Sequence, residues 1–184
     1  GQTALAEPAQ ILPNFQWSSW EEMPAAPPPG LFGKMVFLEI FAGKAALTEA
    51  MRRIPGWVIL PPVELEISEF VKGSSNVLSA AMQEKLAAWW PVLSFVHFGT
   101  PCTTMSRARK NDGGPPPLRS DRFPDGLPKF LVQKSRDPRV RRLRAQLLEG
   151  NQLAQFTLDM IARLRPDQRW SVENPAYSLL WKFS

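Results

Sequence analysis

The chain holds one cysteine, Cys102, in the run Phe98-Gly99-Thr100-Pro101-Cys102-Thr103-Thr104-Met105-Ser106, directly after a Gly-x-Pro turn that follows an apolar segment. A thiol at the carboxyl end of a strand stands where a nucleophile would in an open α/β sheet. A second polar cluster, Glu173-Asn174-Pro175, follows the short segment Arg169 to Val172. A carboxyl group there can donate or accept a proton beside a thiol from a neighbouring strand end. A third, Phe41-Ala42-Gly43, closes an apolar run, and its glycine lets backbone amides approach a ligand where a helix begins. An acid after the next strand can then bind ribose hydroxyls, which together describes a nucleoside-cofactor pocket. Each signal alone is weak. A lone cysteine is also a common small buried hydrophobe, and a glycine turn after a strand is frequent.

The elements that must carry these groups alternate. Met35 to Phe41 reads as a strand, Gly43 opens a helix through Arg53, and Trp57 to Leu60 is a second strand stopped by Pro61-Pro62. Asn76 is a good cap for a helix from about Val77 to Trp90, and Val92 to Phe98 is the strand that leads to Cys102. A Gly/Pro-rich basic loop comes next. Asp137-Pro138 can start a helix that Pro166 must stop, with Gly150-Asn151 a candidate break. Arg169 to Val172 is the last strand. This alternation predicts an α/β fold, a mostly parallel sheet with helices on both faces, over residues 35–184. Residues 1–34 are rich in Pro and Ala and read as a leader or linker without a core of its own, although Trp17 and Trp20 can dock on the rest of the chain. The chain begins at Gly1 rather than Met, as expected for a cloning remnant or for a piece of a longer reading frame.

At 184 residues and 44% apolar content, one domain with an ordinary core is expected. A single cysteine excludes an internal disulfide and a four-cysteine zinc site, and a single His97 argues further against a metal centre, so no metal is expected. No apolar run approaches the roughly 20 residues that span a bilayer. A soluble, intracellular protein is the expectation, with no membrane partner. The net charge is +5, and Arg107, Arg109, Lys110, Arg119, Arg122, Lys129, Lys134, Arg136, Arg139, Arg141, Arg142 and Arg144 all follow Cys102. Such a stretch suits phosphate contacts, or else forms a solvated loop and helix face.

Taken in order, Leu38-Glu39-Ile40-Phe41-Ala42-Gly43, Pro101-Cys102 and Glu173-Asn174 resemble the DNA cytosine-C5 methyltransferases over roughly Met35 to Trp181. The resemblance implies the Rossmann-like fold of S-adenosylmethionine-dependent methyltransferases, truncated at its C-terminal end. It implies S-adenosylmethionine as methyl donor, with Glu39, Phe41, Ala42, Gly43, Glu64, Leu65, Asn76 and Pro101 at the cofactor. Glu64 would take the ribose hydroxyls, with Glu66 as the other acid within reach of that role. Cys102 would add to C6 of cytosine, Glu173 would donate to N3, and Asn174 would hold the two loops together. Thr104, Ser106, Arg107, Arg109 and Arg119 would contact DNA, with Arg107 or Arg109 alternatively beside the thiolate.

The chain also departs from the family. Ala45 stands for the second glycine of the first motif, Asn76 and Ser94 for acids, Thr103 for glutamine and Pro175 for valine. The family's later arginine motif, target recognition domain and final helix have no counterpart before Ser184. A separate recognition region or chain is therefore an expected partner, alongside double- or single-stranded DNA, and the expected site of action is the nucleus or wherever the DNA target lies. A looser likeness is to short methyltransferase-like domains of mobile elements and viral polyproteins. The sequence leaves two other functions open: a non-catalytic nucleic-acid-binding module of a larger product, and an RNA cytosine methyltransferase.

Overall fold

The computed structural model describes residues 15–64, 76–110, 113–131 and 135–183. Its centre is a four-stranded, all-parallel sheet in the order β2-β1-β3-β4, built from β1 (Met35–Ile40), β2 (Trp57–Ile59), β3 (Phe95–Phe98) and β4 (Arg169–Val172). The strands are joined by crossovers carrying α1 (Ala46–Met51), α2 (Ala80–Trp89), α3 (Pro128–Leu131) and α4 (Pro138–Ala162). β1 is buried from Val36 through Ile40, the near-continuous apolar burial of a parallel strand covered on both sides.

Side-chain alternation sorts the helices onto two faces. Val36, Leu38, Ile40, Val96 and Phe98 pack with Leu86 and Trp89 of α2 and with Leu153, Phe156 and Met160 of α4. On the opposite face Phe37 and Ile59 pack with Met51 and Leu47 of α1. The α/β architecture with a parallel sheet and helices on both faces is as expected from the sequence.

The chain steps outward from β1 to β2 and then crosses back over β1 to β3, so its direction of progress reverses between β1 and β3. Loops leaving the carboxyl ends of such a pair diverge to opposite faces and leave a crevice between them. The turn after Ile40 and the turn after Phe98 border that crevice, and β1 pairs with β3 up to Ile40 and Phe98.

Three local expectations are corrected. α2 starts at Ala80, capped by Ser79, whose hydroxyl accepts from the Met82 amide at 3.2 Å. Asn76 instead organises the preceding turn, accepting from Leu78 N through Oδ1 and from Ser79 N through its carbonyl. β3 begins at Phe95 because Pro91 sits in a 3-10 turn over Trp90–Val92. Gly150-Asn151 does not break α4, which runs unbroken for 25 residues from its Asp137 cap. A Cβ on Gly150 would stand 2.3 Å from Thr104 Oγ1, and Asn151 donates to the Asp125 carbonyl at 2.8 Å, so both residues serve contact rather than interruption.

Residues 15–34 share the domain's core. Trp20 is 1% exposed, donates to the Pro61 carbonyl at 2.8 Å and meets Trp89 edge-on. Burying an indole removes about 150–250 Å² from water, roughly 4–6 kcal/mol at about 25 cal/mol per Å² before ordering costs. That is enough to hold a proline-rich segment whose backbone has little freedom to lose.

Candidate functional site

The turn after β1 is conformationally unusual. Phe41, Gly43 and Ala45 all have positive φ, at 60°, 57° and 53°. Glycine adopts this region freely, whereas a residue with a Cβ pays of order 1 kcal/mol. Ala45 therefore holds a glycine-like conformation where the family resemblance places a glycine. Neighbouring hydrogen bonds fix the turn: Phe41 N and Ala42 N both donate to Val63 O, at 2.7 and 3.3 Å, and Val63 N donates to Glu39 O at 2.9 Å. Glu64, half-buried, follows Val63 directly and so stands beside the Phe41 to Gly43 turn. Leu65 and Glu66 lie outside the described residues.

Glu39 is buried, and its Oε2 accepts from the Thr48 amide at 2.7 Å and the Thr48 hydroxyl at 2.5 Å. It braces α1 on β1 and is not open to a ligand, a correction to its expected place at the cofactor. Asn76 is exposed with Oδ1 engaged by Leu78 N, which makes it a turn former. Near it lies a cavity of about 360 Å³ between the start of α2 and α4, where Leu78, Phe156 and Met160 give an apolar floor and Gln83, Gln152, Gln155, Asp159 and Arg163 a polar rim. Phe156 also packs edge-on against Phe41 at 6.0 Å between ring centroids, so this cavity adjoins the β1 turn.

The β3 end carries the thiol. Gly99 N donates to Ile40 O at 2.9 Å, and a Cβ on Gly99 would lie 2.6 Å from Phe41 O, so the two turns meet backbone to backbone. Thr100 is buried and its hydroxyl bonds that of Thr157 on α4 at 3.0 Å. Pro101 and Cys102 are half-buried, and Met105 N and Ser106 N both donate to Cys102 O, which sets the thiol at the start of a single helical turn.

The β4 end is joined to it. Glu173 N donates to Phe98 O at 2.8 Å, Asn174 Nδ2 to Thr100 O at 2.6 Å, Arg107 Nε to Tyr177 O at 2.9 Å and Leu179 N to Met105 O at 2.9 Å. Asn174 thus holds the two loops together as the sequence suggested. Glu173 is exposed at the strand end, and Asn174 Oδ1 is shielded from solvent with no partner among the described residues.

The basic loop departs from expectation residue by residue. Arg119 is 4% exposed and donates to Thr104 O, Thr104 Oγ1, Pro124 O and Leu147 O, while burial pushes its guanidinium down to about 10. Arg119 and the buried Thr104 form an internal brace and are not DNA contacts. Ser106 caps its own turn by accepting from Ala108 N. Arg109 is half-buried and bonds Thr103 O, Pro116 O and Gln146 Oε1, with burial lowering its pKa. Arg107 is exposed but paired with Asp121, which raises the arginine's pKa. Neither arginine's bonds run to the thiol. Among the described residues the other exposed cations of this stretch are Lys110, Arg122, Lys129, Arg136, Arg139, Arg141 and Arg142. The last three lie on the first half of α4, whose Val140, Leu143 and Leu147 pack on Leu118 and Phe130.

The sequence did not show the close approaches that Gly99 and Gly150 permit, nor the Thr100–Thr157 pair. A Gly directly before the Thr-Pro-Cys run was the available signal for the first. The site defines an α/β protein whose polar groups gather at the carboxyl edge of a parallel sheet. No protein-family model, no curated protein and no solved structure matches this chain. Among the described residues no helix is long and apolar enough to cross a membrane.

Proposed function

We propose that this is a Rossmann-like, S-adenosylmethionine-dependent methyltransferase that acts on C5 of cytosine in DNA. One observation carries the reading: the only thiol and the Glu173-Asn174 pair lie at adjacent parallel strand ends, tied by the Asn174 to Thr100 bond beside the reversal point of the sheet. The cofactor is supported by the residues present. The turn has the positive-φ backbone of a glycine-rich turn, Glu64 is the acid that follows Val63 beside it, as a ribose diol needs, and the cavity between Leu78 and Phe156 suits a flat heteroaromatic ring with polar edges. When bound, S-adenosylmethionine supplies an electrophilic methyl group.

Cytosine C5 is too weak a nucleophile to take that group unaided. The Cys102 thiolate adds to C6, forming a carbon–sulfur bond and placing electron density on C5. Glu173 is the carboxyl group that would pass a proton to N3 and so neutralise the charge that this addition develops. After C5 has gained its methyl group, loss of the C5 proton to a base and expulsion of Cys102 from C6 restore the ring. The thiol can meet C6 only if the base has left its stack, so the acceptor is a flipped or single-stranded nucleotide. A target recognition element on another segment or chain would supply sequence preference, and the reaction would take place where the DNA lies, in a nucleus or nucleoid.

The test is transfer of labelled methyl groups to cytosine-containing DNA, with RNA as the second acceptor, for the wild type and Cys102→Ala. A 5-fluorocytosine acceptor adds a direct readout, because a C5–F bond gives no proton to lose and the Cys102 adduct persists as a denaturation-resistant species. Transfer and adduct that both vanish in Cys102→Ala are expected. Cofactor and DNA binding without either would leave a non-catalytic nucleic-acid-binding module, and transfer to RNA alone would change the acceptor.

A further inference from the structure

Two large aromatic side chains stand in solvent immediately after the Glu173 cluster: Tyr177 is 80% exposed and Trp181 51%. A single exposed aromatic needs no explanation. These two are four residues apart on a segment whose backbone is fixed. Pro175 O accepts from both Ser178 N, at 2.8 Å, and Trp181 Nε1, at 2.9 Å, so the indole is oriented over the turn that follows Glu173. Between the aromatics, Leu179 and Leu180 are buried, Leu179 N bonds Met105 O in the Cys102 loop, and Leu180 packs on Met105 and Ala154. Tyr177 is tethered through its carbonyl by Arg107. Arg107 and Lys182, the residue after Trp181, both pair with Asp121, a cluster of two cations and one carboxylate that leaves one net positive charge by this segment.

Exposed rings on a fixed backbone, near a surplus of positive charge, are what unstacked nucleobases on a phosphodiester chain require: each ring offers a face to a base and the surplus charge attracts the phosphates. In an intact duplex the base faces are covered by their neighbours. We propose that Tyr177 and Trp181 form a base-stacking platform for single-stranded nucleic acid next to the Cys102–Glu173 site, holding nucleotides that flank the target base. The inference rests on the nucleic-acid reading above and deepens it by naming an unstacked strand as the ligand. It also gives Arg107 a place in substrate binding as the tether of Tyr177.

The experiment is fluorescence anisotropy on the full chain without cofactor, using a labelled 12-residue oligodeoxythymidylate and a base-free abasic chain of equal length. The wild type is expected to bind the thymidylate roughly tenfold or more tightly than the abasic chain, as stacking on aromatics predicts. Tyr177→Ala and Trp181→Ala each remove most of that difference while leaving abasic binding unchanged, and Tyr177→Phe and Trp181→Phe retain it. Tyr177 is solvent-exposed, so its substitution leaves the fold intact, which circular dichroism checks. Equal affinity for the two probes, or thymidylate binding unchanged in both alanine variants, overturns the platform. Because the readout needs neither cofactor nor Cys102, its failure beside intact Cys102-dependent transfer removes the platform alone. Platform binding in a chain without transfer removes the enzyme reading alone.

Discussion

Gly99 and Phe41 touch backbone to backbone: a Cβ on Gly99 would lie 2.6 Å from the Phe41 carbonyl oxygen. The turn that leads to Cys102 and the turn proposed to meet the cofactor therefore hold each other's position at the reversal point of the sheet. Phe41 cannot easily yield, because its amide is bound to Val63 O and its ring is wedged against Phe156.

Gly99→Ala is accordingly expected to destabilise the fold by about 1–3 kcal/mol, the usual cost of forcing extra atoms into a packed site. At this chain length that is a Tm fall of roughly 2–12 °C by calorimetry. Cofactor affinity should fall with it, since relief of the clash must displace the Phe41 turn. An unchanged Tm would show that the two turns are free to separate.

Ala45→Gly tests the strain in the same turn with the opposite sign. Ala45 is held at φ 53° and ψ 32°, left-handed backbone that costs a residue with a Cβ about 1 kcal/mol. Glycine removes that cost and adds a smaller one through the freedom it gains when unfolded. A Tm rise of roughly 1–4 °C is expected. A fall would mean that the Ala45 methyl group contributes packing that outweighs the strain.

How far the sequence reveals this structure depends on the range of the forces involved. A parallel strand buried on both faces writes itself as a short apolar run, so β1 was legible to within a residue, whereas the edge strand β4, with Arg169 and Trp170 exposed, was legible from its place between Pro166 and the polar Glu173-Asn174-Pro175 cluster. Caps and turns compete over a few residues, which is why α2 begins at Ser79 and not at Asn76. Close approaches were not legible at all. Nothing within the Gly150-Asn151 pair distinguishes a helix break from a helix that meets Thr104, because the partner lies 46 residues earlier and only the tertiary fold brings it there. Arg119 failed for the same reason, since basic composition does not tell a surface cation from one buried among carbonyl groups.

Asp121 gives a pH prediction. Hydrogen bonds from Arg107 and Lys182 hold its carboxyl well below the usual carboxylate range. A depressed folded value means that the stabilisation is fully present above the unfolded value of about 3.9 and is lost as pH falls from there through the folded value. All three side chains are about half exposed, so the effect is modest and weakens with salt. In a low-salt series of Tm against pH, Asp121→Asn should sit slightly below the wild type at neutral pH, and the two curves should converge below about pH 4. Curves that diverge toward acid would contradict the pairing.

The arginines that follow Cys102 divide into two groups that one salt titration separates. Arg119 donates to four acceptors, three in the loop and Leu147 O on α4, so Arg119→Met strands them and is expected to cost about 2–4 kcal/mol. It should leave the salt dependence of DNA binding by the folded protein unchanged, with Arg119→Lys as the milder variant. Arg141 and Arg142 project from the exposed side of α4, while Val140, Leu143 and Leu147 anchor the other side. Replacing either by Ala should leave stability within about 0.5 kcal/mol of wild type. Each loss should lower the magnitude of the slope of log K against log salt by about 1, one released counterion per phosphate contact. If Arg119→Lys changes the slope and the α4 variants do not, DNA runs along the loop rather than along the helix.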